Sequence, residues 1–306
     1  MTQARPNGGT LIERAAAIYG YSAPLRARVP DGIPEERRPA PPAPVPTAPT
    51  PPVSGERLPM GRRSVAIDRA LLEQNGLLVP GAAIGAQAEE FRLAKRQLLL
   101  AARAMAATNP AKARTILVCS PGAQEGKTYC AINLAISMAA ERDTRVLLVD
   151  ADFAKPDVMA RLGVEDGPGL LDAIADPRLA IEQCVVATDI PQLSLLPAGG
   201  KSTSDTELAA SDRTRELIAE LLAADPHRII VFDSPPALAA SPASVLALQV
   251  GQVMLVVRAD HTAEGELREA VQLLDGCDRI QLLLNKVALA PRGNRLGGYY
   301  GLEDSR

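Results

Sequence analysis

The sequence has no tryptophan, only two histidines and few aromatic residues, which make up 3% of its 306 residues. Two histidines are too few for a metal site built on imidazole. The four cysteines form no CxxC pair, which excludes the usual zinc-ribbon and thioredoxin-type motifs. We therefore expect ordinary thiols in a reducing compartment.

An excess of charge is also missing, because 33 Lys and Arg face 36 Asp and Glu, for a net charge of −3. General binding to nucleic acid needs a basic surface, so no nucleic-acid partner is expected. The apolar runs are shorter than the roughly 18 residues of a membrane span, and the first residues lack the apolar stretch of a signal peptide. These absences predict a cytoplasmic protein that reaches the inner membrane only through a partner.

Proline, by contrast, is abundant, and eleven of the 26 prolines lie between residues 30 and 59. This composition is typical of an extended, polyproline-like spacer, with a ligand for an SH3-type domain as the alternative. Ahead of it, Thr10 and Glu13 have the spacing of a capping box that begins a short helix. The composition predicts four segments: an N-terminal helical segment (1–29), a proline-rich linker (30–62), a globular domain (63–290) and a flexible tail (291–306).

From Ser64 onward, apolar segments alternate with segments of helical periodicity. After a short strand in SVAID, six core strands are predicted in TILVCS, RVLLVDA, LSLLPA, RIIVFD, QVMLVVR and RIQLLLN. Helices are predicted in RALLEQN, in EEFRLAKRQLLLAARAM, and after Lys127, Pro156, Asp205, Ser241 and Ala263. Continuous apolar strands between amphipathic helices indicate a three-layer α/β fold, with a mostly parallel sheet covered on both faces.

The segment TILVCSPGAQEGKTYCAINLAISMA has the order strand, loop, helix, and its loop ends in Gly126-Lys127-Thr128. In such a loop, backbone N–H groups and the start of the helix converge on phosphate oxygens. Lys127 is expected to reach the β- and γ-phosphates, and Thr128 to ligate Mg²⁺. The strict motif would have glycine at the position of Pro121, which Gly122 follows here. The expected nucleotide-binding residues are Ser120, Gly122, Ala123, Gln124, Glu125, Gly126, Lys127, Thr128 and Tyr129.

Three aspartates follow predicted strands: Asp150 and Asp152 in RVLLVDAD, and Asp233 in RIIVFD. The carboxyl ends of parallel strands form the ligand-binding edge of an open α/β sheet. Asp150 and Asp233 are predicted metal ligands together with Thr128, and Asp150 or Asp152 is the predicted proton acceptor. Asn285 ends the last core strand with a donor and an acceptor that suit the edge of a purine, although a plain turn residue is the alternative.

Together, the phosphate loop, VDADFAKP, VFDSPP and LLNK resemble the bacterial tyrosine kinases of capsule and exopolysaccharide loci, which have a Mrp/Min-type P-loop fold. LIERAAA, EEFRLAKRQLLL, GLLDAI, LSLLPAG, GQVMLVV and the paired tyrosines near the end are most similar to one branch, the exosortase A-associated tyrosine autokinases. The resemblance covers residues 64–300 and the N-terminal helix. VDAD–KP combined with VFDSPP is specific, whereas the phosphate loop alone is not.

The resemblance implies an ATP- and Mg²⁺-dependent protein-tyrosine autokinase that regulates exopolysaccharide biosynthesis or export. Lys127, Asp150 and Asp152 would then be catalytic. Tyr299 and Tyr300, the tyrosines of the tail, are the expected autophosphorylation sites. Many family members have a longer tyrosine cluster, so this tail leaves less room for graded multi-site phosphorylation.

The family also implies partners. A helix with an E-Y-R-x-x-R-like pattern supports ring assembly there, and Glu90, Phe91, Arg92, Lys95 and Arg96 resemble it. Arg92, Lys95 and Arg96 share one helical face, for which a solvated basic surface is the alternative. The activator implied by the family is a membrane-embedded chain-length-determinant protein, a Wzz-like polysaccharide co-polymerase, expected here as a separate chain.

Two other functions are compatible with a phosphate loop. An ATPase switch of the Min/Par type hydrolyses ATP without transferring phosphate to protein. That group typically carries an extra lysine early in the loop, where this chain has Gly122. A nucleotide-binding scaffold without catalysis is the remaining alternative.

Overall fold

The computed structural model describes residues 63–200, 210–239 and 241–288. The predicted N-terminal helical segment, the proline-rich linker and the tail with Tyr299 and Tyr300 lie outside the described residues. The same holds for residues 201–209, at the predicted start of one helix. Apart from these and from residues 240, 289 and 290, the described residues cover the range predicted for the globular domain.

The described strands form one eight-stranded sheet in the order β1-β4-β5-β3-β6-β2-β7-β8. All neighbouring strands pair in parallel except β4 and β5, which are antiparallel. The strand bounds are β1 Ser64–Val65, β2 Thr115–Cys119, β3 Arg145–Asp150, β4 Val186–Thr188, β5 Leu193–Leu196, β6 Arg228–Asp233, β7 Gln252–Arg258 and β8 Ile280–Asn285.

Nine α-helices are described in these residues, and the longest precedes the phosphate loop. Their bounds are α1 Arg69–Gln74, α2 Ala86–Ala106, α3 Lys127–Ala139, α4 Val158–Arg161, α5 Leu170–Ala175, α6 Ile181–Cys184, α7 Asp212–Ala224, α8 Pro242–Gln249 and α9 Glu264–Leu273. Asp68 caps α1, since its carboxylate accepts the Leu71 N–H at 3.0 Å. Gly76 follows α1 with a φ of +63°, which favours glycine.

Helices cover both faces of the sheet. The central strands are apolar at successive positions, so each face presents apolar side chains against which helices pack. β2 and β6 are buried at every residue. Side chains that alternate along a strand point to opposite faces, so Leu117 packs in one cluster with α5 to α9, and Ile116 in the other with α1 to α4. This confirms the predicted three-layer, mostly parallel architecture.

The sequence analysis missed one strand and two short helices. β4 has only three residues, too few for a hydrophobic period, and α5 and α6 are similarly short. β4 is antiparallel to β5 because only four residues connect them, and a connection that short returns the chain in the opposite direction. Gln192 lies in this turn with a φ of +67°.

β8 forms the end of the sheet beyond β7, and none of its residues is buried. Leu282 and Leu284 are 58% and 59% exposed. Within the described residues, no helix combines the length and the apolar composition that a membrane crossing requires.

Candidate active site

The predicted site residues meet at the carboxyl edge of the sheet, where β2, β3 and β6 end side by side. Asp233 of β6 is in register with Asp150 of β3 and with Val118 of β2. The phosphate loop leaves β2 at this edge and leads into α3. The two predicted acidic strand ends therefore lie beside the predicted loop.

The phosphate loop connects a strand to a helix, in the order that its sequence predicts. Ser120 is buried, and its hydroxyl donates to the Gly122 carbonyl at 2.6 Å. Gly126 has a φ of +102°, in the region that favours glycine. A Cβ atom there would also collide with Nδ2 of Asn285, so that side chain would have to move. α3 begins at Lys127, immediately after this turn.

Lys127 lies among carboxylates. Its Nζ is 2.6 Å from Oδ2 of Asp152 and 3.4 Å from Oγ1 of Thr128. Burial lowers the pKa of Lys127, but the carboxylates of Asp233, Asp152 and Asp150 outweigh it and raise the pKa above its ordinary value. Lys127 is therefore a fixed positive charge at the start of α3.

Asp150 is a buried carboxylate that accepts hydrogen bonds from nearby backbone N–H groups. Its Oδ2 accepts the N–H groups of Asp157 and Val158, both at 3.0 Å, and its Oδ1 accepts that of Asp152 at 3.3 Å. Burial raises the pKa of Asp150 to about 6, although these three bonds lower it. Asp150 thus holds the segment after β3 in place, and its role as a metal ligand stays a prediction.

The carboxylate of Asp233 is as buried as that of Asp150, but it lacks hydrogen-bond partners among the described residues. The residue is 0% exposed, and neither carboxylate oxygen has a hydrogen-bond partner among the described residues. Burial raises the pKa of Asp233 to about 7, Lys127 lowers it, and Asp150 and Asp152 add to the rise. The Thr128 hydroxyl lies close enough to lower this pKa, yet it makes no hydrogen bond with the carboxylate.

A buried carboxylate without a partner is costly unless something compensates its charge. Asp233 and Thr128 offer the oxygen ligands that Mg²⁺ prefers, so the residues fit the predicted metal. Within the described residues, no group of three or more His, Cys, Asp or Glu side chains forms a metal cage. In phosphoryl transfer, one or two carboxylates and the substrate phosphates commonly hold Mg²⁺.

Two of the predicted nucleotide-binding residues, Tyr129 and Gly122, have interaction partners within the chain. The Tyr129 hydroxyl lies 2.6 Å from Nε2 of Gln87 in α2, and its ring packs at 6.3 Å from that of Phe91. Tyr129 therefore joins α3 to α2. Gly122 donates its N–H to the Glu125 carboxylate at 2.9 Å, so that donor is engaged by the chain itself.

The side chain of Asn285, predicted to recognise a purine, is hydrogen-bonded to the phosphate loop. Its Nδ2 donates to the Glu125 carbonyl at 2.8 Å, and Lys286 Nζ donates to the Gln124 carbonyl at 3.0 Å. The end of β8 therefore contacts the phosphate loop, and purine recognition by Asn285 stays a prediction. Sequence reasoning missed Lys286 and also Thr262, whose hydroxyl donates to the Glu125 carboxylate, because their contacts with the loop are distant in sequence.

The predicted assembly helix is α2, and its basic residues differ in exposure. Arg92 and Arg96 are exposed, and Arg92 pairs with Glu89 at 3.0 Å. Lys95 is buried, with Nζ 2.6 Å from the Glu141 carboxylate and 3.0 Å from the Ser137 carbonyl. The structure thus engages Lys95 within the chain, whereas the sequence analysis placed it on one face with the two arginines.

Comparisons with known proteins place the chain in a family. A family model described as an AAA domain matches residues 114–287. EpsB of Ralstonia nicotianae is 33% identical over 159 residues, which are 52% of this chain but 21% of that protein. The tyrosine-protein kinase YwqD of Bacillus subtilis is 30% identical over 194 residues, 63% of this chain and 79% of YwqD. The chain belongs to the bacterial tyrosine kinase family.

Solved structures agree with this family. The BceF tyrosine kinase domain matches with a TM-score of 0.58 at 25% identity, over 70% of this chain and 86% of that domain. The VpsO kinase domain matches with a TM-score of 0.51 at 30% identity, over 62% and 96%. The bacterial tyrosine kinase family and its P-loop fold, predicted from motifs, are confirmed. The likeness to the exosortase A-associated branch stays a prediction.

Proposed function

We propose that this protein is an ATP-dependent protein-tyrosine autokinase that phosphorylates Tyr299 and Tyr300 and regulates exopolysaccharide biosynthesis or export. The observation that carries the proposal is the buried, unpartnered carboxylate of Asp233 beside Lys127 of the phosphate loop. The site holds a fixed positive charge for phosphates and a carboxylate suited to a cation. Relatives named as tyrosine-protein kinases support protein as the phosphoryl acceptor.

In this mechanism, Thr128 and Asp233 would hold Mg²⁺, which would neutralise charge on the ATP phosphates. Lys127 stabilises the charge that develops on the transferred phosphoryl group. The tyrosine oxygen forms a bond to the γ-phosphorus as the bond to the β–γ bridging oxygen breaks, and ADP leaves.

The phenol proton passes to Asp150 or Asp152. Asp150 has a pKa of about 6, near the neutral range that suits a general base. Asp152 is held 2.6 Å from Lys127, the residue that we expect to contact the γ-phosphate. Both carboxylates therefore remain candidates for this single step.

We further propose that the protein works in the cytoplasm as a homo-oligomeric ring, in contact with a Wzz-like polysaccharide co-polymerase of the inner membrane. The exposed side chains of Glu90, Arg92 and Arg96 on α2 would take part in the ring. Lys95, which pairs with Glu141, would support the helix from inside.

The proposal is tested by incubating the purified full chain with MgATP and measuring its intact mass. We expect added phosphate, and peptide mapping should place it on Tyr299 and Tyr300. Release of ADP without added mass would instead identify an ATPase switch. No change of either kind would leave a scaffold without catalysis and overturn the proposal.

Transfer is expected in trans, onto the tail of a neighbouring copy. The test mixes Lys127→Met, with its tail intact, and the double variant Tyr299→Phe/Tyr300→Phe, with its loop intact. Phosphotyrosine should appear on the Lys127→Met chain in the mixture, and in neither variant alone. If that chain gains none while the wild type does, transfer occurs in cis.

A further inference from the structure

The phosphate loop contains a buried carboxylate of its own, Glu125, which is 2% exposed. Its Oε2 accepts the Gly122 N–H at 2.9 Å, and its Oε1 accepts the hydroxyl of Thr262. A carboxylate repels the phosphates that such a loop binds, and its burial is costly without partners. The bond to Gly122 lies within the loop, and the bond to Thr262 joins the loop to the turn between β7 and α9.

The Thr262 hydroxyl has a defined orientation. It accepts the Arg258 N–H at 3.0 Å, which leaves its proton free to be donated to Glu125. The backbone of the loop is held in the same region, since the Glu125 and Gln124 carbonyls accept from Asn285 and Lys286. Two segments distant in sequence therefore fix the middle of the loop.

The backbone around these contacts is unusual. In the described part of the chain, four residues other than glycine have a positive φ. Three of them, Gln124 at +61°, Asp260 at +54° and Lys286 at +55°, lie in the three segments that meet here. Residues in sparsely populated backbone regions persist where the surroundings hold them, and they concentrate at functional sites.

We propose that Thr262 is a positioning residue for nucleotide binding. Through its hydrogen bond to Glu125, it keeps the carboxylate on Gly122 and away from the phosphates, so that the loop keeps its binding shape. Thr262 itself contacts no phosphate in this proposal. The inference rests on the proposed function only in that the loop binds ATP.

The test is Thr262→Val in the full chain, which removes the hydroxyl and preserves the side-chain shape. Loss of a hydrogen bond to a charged group should weaken MgADP binding, measured by titration calorimetry, by about tenfold. The KM for ATP should rise by a similar factor, while kcat at saturating ATP changes by less than about twofold. Thr262→Ser, which keeps the hydroxyl, should restore both values.

The matched control is Thr188→Val. The Thr188 hydroxyl also bonds to backbone, donating to the Leu193 carbonyl at 2.9 Å, but it lies on β4, away from the loop. Its loss should lower the melting temperature without changing MgADP affinity. Equal weakening of MgADP binding in both valine variants would show a general loss of stability and overturn the proposal.

A double-mutant cycle isolates the pair. In Glu125→Gln no carboxylate is left to repel the phosphates, so adding Thr262→Val to it should weaken MgADP binding much less than Thr262→Val does in the wild type. Additive losses, or an unchanged MgADP affinity in Thr262→Val, would overturn the assignment. MgADP binding is measured without phosphoryl transfer, so failure of the tyrosine-kinase proposal would appear separately, as no added phosphate on the wild type.

Discussion

The ends of β3 and β6 are neighbours with the same residue type and opposite environments. Asp150 and Asp233 are paired in register, both are fully buried, and burial raises the pKa of both. Asp150 accepts three backbone N–H groups, whereas Asp233 accepts no hydrogen bond from the described residues. The fold supplies hydrogen bonds to the Asp150 carboxylate, whereas the described residues supply none to the Asp233 carboxylate.

This difference separates stability from function. A carboxylate with three N–H donors stabilises the local backbone, and its removal costs folding energy. A buried carboxylate without partners costs folding energy by its presence, and such a cost is typical of a binding site. The strand end that is unfavourable for the fold is therefore the stronger candidate for binding the cation.

The largest expected effect comes from the cation between these strand ends. Lys127→Met should lower autophosphorylation by about 10³-fold, since it removes the charge that stabilises the transferred group. Phosphotyrosine blotting and intact mass measure it. Lys112→Met is the matched control, because Lys112 lies just before β2, at the opposite edge of the sheet. Persistent phosphotyrosine in the pure Lys127→Met protein would contradict the site.

Asparagine at the two strand ends should shift stability in opposite directions. At pH 8 without metal, Asp233→Asn removes an unpaired charge and should raise the free energy of unfolding by about 1 kcal/mol. Asp150→Asn should lower it by about 2 kcal/mol, because an amide cannot accept all three N–H groups. Denaturant unfolding measures both.

Only Asp233→Asn should combine greater stability with a loss of activity, by about 10²-fold. Equal signs of the two stability changes would contradict the comparison. Retention of full activity in Asp233→Asn would remove that carboxylate from the proposed metal site.

The stability difference between Asp233→Asn and the wild type should also depend on pH. The pKa of Asp233 rises from 3.8 to about 7 on folding, so between these values the folded state binds more protons than the unfolded state. Its contribution to stability is fully present below pH 3.8 and is lost as the pH rises through 7. The melting temperature of Asp233→Asn minus that of the wild type should therefore grow by a few degrees between about pH 5 and pH 8. A difference independent of pH would contradict the raised pKa.

The smallest effect is expected from removing the N-terminal segment and the linker. A chain that begins at residue 62 should bind MgADP within about threefold of the full chain. The residues that we assign to the nucleotide begin at Ser120, and a proline-rich segment buries little apolar surface. Calorimetry on both chains measures this. A larger loss would show that the N-terminal segment completes the site.

Much of this arrangement followed from local sequence. Long apolar strands, the loop ending in Gly126-Lys127-Thr128, and the strand-end aspartates each depend on residues within a few positions of one another. Their convergence follows from the rule that parallel strands share one carboxyl edge. Fold and family were predictable for that reason.

The missed features depend on long-range contacts or on very short elements. Nothing in RVLLVDAD or RIIVFD shows that Asp150 is satisfied and Asp233 is not, because the donors to Asp150 come from the start of α4. The contact of Thr262 with Glu125 spans 137 positions. The burial of Lys95 likewise depends on Glu141, which the helical period of α2 cannot reveal.

The four cysteines have a practical consequence for labelling. All of them are free and buried. Burial raises the thiol pKa at each position, to about 12 at Cys130 and about 11 at Cys184, so the reactive thiolate is scarce at neutral pH. A cysteine introduced at an exposed position of α2, such as Gln97→Cys, should then take a maleimide dye selectively in the native protein. The natural sequence can therefore carry a fluorescent reporter without removal of its own cysteines.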